Sequence, residues 1–175
     1  SARGVLPTLA PCSAAACKCV AVDCDFTLWH GAVGEGVDGI VVEPRHSELQ
    51  ERLLALRARG VLLTLVSRNA PEDVWRALER MAMPLRRHHV VASRIDPLLH
   101  KATALAALAA ELRIGVESIL FIDDNPSEVA DVRAALPEVA TWTFPQSHAL
   151  VRAQMPHVWQ LGLALRAAPT EADVA

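Results

Sequence analysis

The sequence predicts an α/β domain: a parallel sheet with helices on both faces. Three observations point there. Short apolar runs alternate with stretches of helical periodicity. The runs are apolar throughout, as in strands covered on both sides. Helix-start chemistry recurs just after them. A chain of 175 residues has room for one domain with a real core.

Cys19 to Val22 is an apolar run that ends abruptly in acid, and it reads as the first strand. Gly31 to Gly39 reads as a turn or hairpin, with Trp29 packed against it. Glu48 to Arg59 carries Leu49, Leu53, Leu54 and Leu56 at helical spacing, and Gly60 closes that helix. Val61 to Val66 has the length and composition of a buried strand. Asn69-Ala-Pro-Glu72 then opens a helix with a capping residue, an early proline and an early acid. His89 to Ala92 is the next strand candidate, and Ala102 to Leu112 is an Ala/Leu-rich helix. Ile119 to Ile122 is a strand, and Asn125-Pro-Ser-Glu128 starts a helix running to about Leu136. Val139 to Phe144 is the last strand and His148 to Arg166 the last helix. The expected organisation is a loose leader at 1–15, a single catalytic domain at 16–166 and a frayed tail at 167–175.

Composition narrows the partners. A net charge of −3 gives no reason to expect nucleic acid or an anionic membrane. Tyr is absent, so a stacking platform for bases is not expected. The apolar runs break well before the ~18 residues a membrane helix needs. The leader carries Arg3 as its basic residue, and Pro7 and Pro11 interrupt it, unlike an export signal. Cys12, Cys17, Cys19 and Cys24 cluster near the start, without zinc-knuckle spacing. They read as free thiols, and the expected location is the cytoplasm.

In a parallel sheet, ligands bind beyond the carboxyl ends of the strands. The polar groups there are Asp23 and Asp25, then Ser67, Arg68 and Asn69, then Asp123, Asp124 and Asn125. Two carboxylates two residues apart at the end of a buried strand repel each other and lose water. A bound cation offsets both costs, and hard oxygen donors favour Mg2+. Ser67 and the helix-start amides beside it can hold a phosphate, as can Lys101.

Asp23-x-Asp25-x-Thr27, Ser67, Lys101 and Asp123-Asp124 resemble, in order and placement, the four signatures of the haloacid dehalogenase (HAD) superfamily across about residues 18 to 145. The resemblance implies a HAD-like (Rossmannoid) three-layer sandwich and a phosphoryl-transfer enzyme. Asp23 would be the nucleophile and Asp25 the acid/base. Ser67 and Lys101, with Arg68 and Asn69 nearby, would bind phosphate. Asp23, the Asp25 backbone carbonyl and Asp123 would bind Mg2+, supported by Thr27, Asp124 and Asn125. The stretch Leu28-Trp29-His30-Gly31 through Gly39, and Phe121-Ile-Asp-Asp-Asn-Pro126, resemble FkbH-like proteins of subfamily IIIC. Some of those dephosphorylate a phosphoglycerate-derived unit and load glyceryl onto an acyl carrier protein in polyketide biosynthesis. Related magnesium-dependent phosphatases only hydrolyse phosphate esters or phosphoproteins. Cys24, Phe26 and His30 stand where the family usually has Leu, Asn and Gly.

Three further residues are candidates for substrate contact. Cys24 could carry a thioester, although strand alternation turns it from Asp23 toward the core. His30 and His100 flank the expected site. The segments between Asp25, Ser67 and Asp123 are consumed by predicted elements, so no large cap domain is expected. The expected substrate is a phosphorylated small molecule, with an acyl carrier protein as a further partner. A non-catalytic module holding magnesium and phosphate is the alternative from another class. A response-regulator receiver is the poorer fit, because Ser67 stands where its phosphorylated Asp would be.

Overall fold

The computed structural model describes residues 17–158. The leader, the tail and the far part of the predicted last helix lie outside the described residues. Five parallel strands form one sheet in the order β3-β2-β1-β4-β5. They are β1 (Cys19–Val22), β2 (Leu62–Ser67), β3 (Ala92–Ile95), β4 (Ile119–Asp123) and β5 (Ala140–Thr143). The helices are α1 (Pro44–Ala58), α2 (Pro71–Arg80), α3 (Lys101–Leu112), α4 (Pro126–Ala135) and α5 (His148–Gln154).

Strand alternation sorts the core into two layers. Val20, Val22, Leu63, Leu65, Leu120 and Ile122 face one apolar cluster, which Leu49 and Leu53 of α1, Val74 and Ala77 of α2 and Val151 of α5 complete. Cys19, Ala21, Val66, Ile119 and Phe121 face the other, covered by Leu105 and Leu108 of α3 and Val129 and Val132 of α4. The register aligns Val22 with Leu65 and with Ile122, so the central strands end level with one another. Asp23 has the parity of Ala21 and therefore sits on the α3/α4 side. Cys24 has the parity of Val22 and belongs to the opposite cluster.

Several boundaries differ from the sequence expectation. The third strand is Ala92–Ile95, while Arg87–His89 forms a 3-10 turn. This edge strand is half-exposed along its length and contains Ser93 and Arg94, so it lacks the apolar signature of the inner strands. Helix α1 begins at Pro44, four residues before Glu48, because Glu43 and His46 form a reciprocal capping box around Pro44. The last helix stops at Gln154 and passes into a 3-10 turn at Met155–His157, where Pro156 cannot continue the backbone ladder. The segment 31–39 is a pair of 3-10 turns, Val33–Glu35 and Val37–Gly39. It is closed by backbone bonds between His30 and Val41. Gly31, at φ 103, lets this flap close: a Cβ there would stand 2.9 Å from the Gly39 carbonyl oxygen.

Candidate active site

The carboxyl ends of β1, β2 and β4 and the start of α3 meet in an open cleft of about 190 Å³. Asp23, Asp25, Phe26, Ser67, Lys101 and Asp123 line it, with Arg68, Asn69, Asp124, Asn125 and Glu128 at its edge. A larger groove between Trp75 of α2 and Arg87 of the 3-10 turn before β3 contains none of these groups.

Lys101 is the charge at the centre. Its ammonium lies 3.1 Å from Asp23 Oδ1 and 2.5 Å from Asp123 Oδ2. The Lys101, Asp23 and Asp123 side chains are all buried. Burial alone would push the ammonium's pKa down, but the two carboxylates outweigh it and hold it above the usual lysine range. Burial pushes Asp23 well above the ordinary carboxylate range; Lys101 opposes the shift and the negative charge of Asp123 adds to it. Asp124 is also raised, first by desolvation, with hydrogen bonds to Asp23 and Thr27 opposing. Thr27, fully buried, donates to Asp124 Oδ1 at 3.2 Å and accepts from the Asp124 amide at 3.1 Å. This reciprocal pair ties the end of β4 to the turn after β1. The Asn125 amide donates to Asp123 Oδ1 at 2.9 Å.

The donor set fits a hard divalent cation. Asp23, Asp123 and Asp124 each offer an oxygen within 4.8 Å of the others. Lys101 brings one positive charge to these three carboxylates, which leaves the cluster negative. All-oxygen, carboxylate-rich donors are the magnesium type rather than the zinc type.

Asp25 points elsewhere. Its Oδ1 accepts from Trp29 Nε1 at 2.9 Å and from the Val33 amide at 3.0 Å. Its Oδ2 accepts from Asn69 Nδ2 at 3.0 Å. Asn69 Nδ2 also donates to Ser67 Oγ at 2.9 Å. Asn69 does not cap α2, whose N-cap is Ala70 without a side-chain bond. Asn125, by contrast, does cap its helix, accepting from the Ser127 amide at 2.9 Å. Between Asp25 and Thr27, Phe26 adopts φ 60, a left-handed conformation rare for a bulky side chain and typical of functional turns.

The remaining candidates separate. Arg68 reaches the cleft edge but pairs with Glu128 at 2.8 Å. Cys24 is fully buried, and desolvation, then the charge of Asp23, pushes its thiol well up. A thiolate able to carry a thioester is disfavoured there. His100 caps α3 by accepting from the Thr103 amide and does not line the cleft. His30 stacks edge-on against Phe26 at 5.3 Å, also outside the lining. Sequence reasoning missed the roles of Trp29 and the Val33 amide as Asp25 donors. The spacing of Trp29, four residues after Asp25 in a short turn, was the available signal.

No family model and no curated protein matches the sequence. Among solved structures, the chain is similar to the N-terminal part of a Bacteroides fragilis protein, containing a phosphatase domain and complexed with magnesium. The identity is 28% and the TM-score 0.76, over 85% of this chain and 40% of that one. It is also similar to a candidate haloacid dehalogenase-like hydrolase from B. fragilis, with 12% identity, TM-score 0.59 and coverage of 78% and 93%. A third is the cobalt-bound deoxy-D-mannose-octulosonate 8-phosphate phosphatase of Haemophilus influenzae, with 15% identity, TM-score 0.50 and coverage of 85% and 95%. The chain thus spans about two-fifths of the first of these structures. The likeness is one of fold: a five-stranded parallel α/β sandwich of the kind seen in haloacid dehalogenase-like hydrolases. Acids follow its first and fourth strands, a serine ends its second and a lysine opens the helix after its third.

Proposed function

We propose that the chain is a magnesium-dependent phosphohydrolase that works through an aspartyl-phosphate on Asp23. The observation that carries this reading is the convergence of Asp23, Asp123 and Lys101 at one buried strand-end cluster. Asp23 attacks phosphorus, and a P–O bond to its carboxylate forms as the bond to the leaving oxygen breaks. Asp25 gives the leaving oxygen a proton. Its carboxylate then takes one from the water that cleaves the acyl phosphate, which releases phosphate, frees the Asp23 carboxylate and returns Asp25 to the acid form in which it began. Ser67, Asn69 and Lys101 hold the phosphoryl oxygens through donated hydrogen bonds. Asp23, Asp123 and the Asp25 carbonyl, with Asp124 in support, would hold Mg2+, which offsets the negative charge of the transferring group.

The cleft volume, about 190 Å³, is below the ~300 Å³ of a pocket that encloses a drug-sized ligand. It suits a phosphoryl group whose remaining substrate stays outside. That supports a terminal phosphate monoester, on a small molecule or on a larger carrier. The deciding experiment is phosphoenzyme trapping with 4-nitrophenyl phosphate and Mg2+. Asp25→Asn should accumulate a phosphoryl mass on the peptide bearing Asp23, and Asp23→Asn should show none. A label on another residue, or none in either variant with turnover intact, refutes the reading.

The finer FkbH-like reading rests on the Leu28–Gly39 stretch and on the open cleft, which admits a carrier-tethered group. It is tested by incubation with 1,3-bisphosphoglycerate and an acyl carrier protein. Phosphate release with no mass gain on the carrier leaves the plain phosphatase.

A further inference from the structure

The hydrogen bonds around Asp25 give its two oxygens different work. Oδ1 carries two donors, Trp29 Nε1 and the Val33 amide. A carboxylate oxygen has two lone pairs, so both are taken by the protein. Oδ2 carries one donor, Asn69 Nδ2, and that nitrogen's second hydrogen goes to Ser67 Oγ. Ser67 and Asn69 belong to the cleft wall; Trp29 does not. Trp29 is fully buried in the apolar cluster under the flap. Its ring cannot swing without opening that core, so its N–H is a fixed point.

We propose that Trp29 is the positioning residue for proton transfer. With the Val33 amide it pins Oδ1, which leaves Oδ2 as the oxygen that faces the leaving group and passes the proton. Asn69 holds Oδ2 until a phosphoryl oxygen at Ser67 takes up its amide hydrogens, and Oδ2 is then released to the substrate. Arrival of phosphate and freeing of the acid are one event in this arrangement. The inference rests on the phosphohydrolase reading above and extends it to residues that never touch substrate.

Trp29→Phe keeps an aromatic ring and removes the N–H. Single-turnover phosphorylation of Asp23 is measured with glycerol phosphate, 4-nitrophenyl phosphate and acetyl phosphate. An alkyl leaving group needs a proton, and the other two depart as stabilised anions. General acids supply roughly 10²–10⁴-fold, and a mispositioned one keeps part of that. The variant should lose about 30-fold or more with glycerol phosphate and under about 3-fold with the other two. Half-saturating concentrations should hold steady. An equal loss with all three substrates would reduce Trp29 to a structural prop and overturn the proposal, as would no loss with any. A wild-type chain that forms no phosphoenzyme from any of the three sinks the phosphohydrolase reading itself, a distinguishable result. If Trp29→Phe does not fold, the assigned Trp29 indole N–H resonance of the otherwise intact chain tests the same contact. It should move upfield in Asp25→Asn, and an unmoved resonance overturns the proposal.

Discussion

Replacing Lys101 by Met should cost the fold more than any exposed ion pair could. Lys101 is 5% exposed and Asp123 is 0% exposed, so solvent does not screen their attraction. Removing one partner from a buried charge cluster typically costs about 3–5 kcal/mol, because the other charges stay buried without compensation. At ~2–4 °C per kcal/mol for a chain of this size, melting should fall by on the order of 10 °C in EDTA. The sign with pH follows from the carboxyl groups. Asp23 is raised above its unfolded value even with Lys101 present. The folded state therefore binds protons more readily than the unfolded chain, and stability from this group falls as pH rises through that window. Losing the ammonium widens the window, so the deficit should be largest at neutral pH and shrink toward pH 5. Mg2+ should restore part of it: at a hundred times its dissociation constant a ligand contributes about 2.7 kcal/mol. Urea denaturation at pH 7 and pH 5, with EDTA and with Mg2+, measures all three effects. A variant within about 1 kcal/mol of wild type in EDTA at neutral pH would refute the picture of Lys101 as the counter-charge of two buried anions.

Asp23→Asn should lower turnover of phosphate esters by roughly 10⁴-fold or more, as loss of a nucleophile does elsewhere, checked by steady-state phosphate release. His46 is fully buried and its Nδ1 accepts from the Glu43 amide, while burial, then Arg45, lowers its pKa from 6.5 to about 4. Its stabilising contribution, on the order of 3 kcal/mol, is present above pH 6.5 and lost as pH falls through 4. His46→Asn, which keeps an acceptor for the Glu43 amide, should flatten the dependence of melting temperature on pH across that range; an unchanged slope contradicts the assignment. Gly31→Ala should destabilise by about 1–3 kcal/mol, since φ 103 and the nearby Gly39 carbonyl both oppose a side chain. Thermal melting checks it.

The strand ends were legible because burial makes charge conspicuous. Asp23 after Val-Ala-Val and Asp123 after Leu-Phe-Ile could be read as one site before any coordinates, and Lys101 and Ser67 fall where that reading put them. Edge elements were less legible. Strand β3 carries no apolar run, and α1 begins on a glutamate cap that capping preferences do not favour. Asn69 was legible in one of two roles: it lines the cleft as expected, but the helix it precedes starts from Ala70, and its side-chain nitrogen donates to Asp25 and Ser67. Trp29 looked like packing and is also a hydrogen-bond donor; its spacing of four residues from Asp25 hinted at the contact, and the direction of its side chain establishes it. His30 and His100 sit near the site in sequence, but the flap and the α3 cap turn them to other work.

Crystals grown with Mn2+ in place of Mg2+ offer the most direct trial, since manganese scatters anomalously and occupies the same oxygen sites. One anomalous peak should lie between Asp23 and Asp123, bonded to an oxygen of each. A peak held by other residues, or none at saturating manganese with Lys101 still paired to both Asp23 and Asp123, would contradict the shared-cation site on which the proposed function depends.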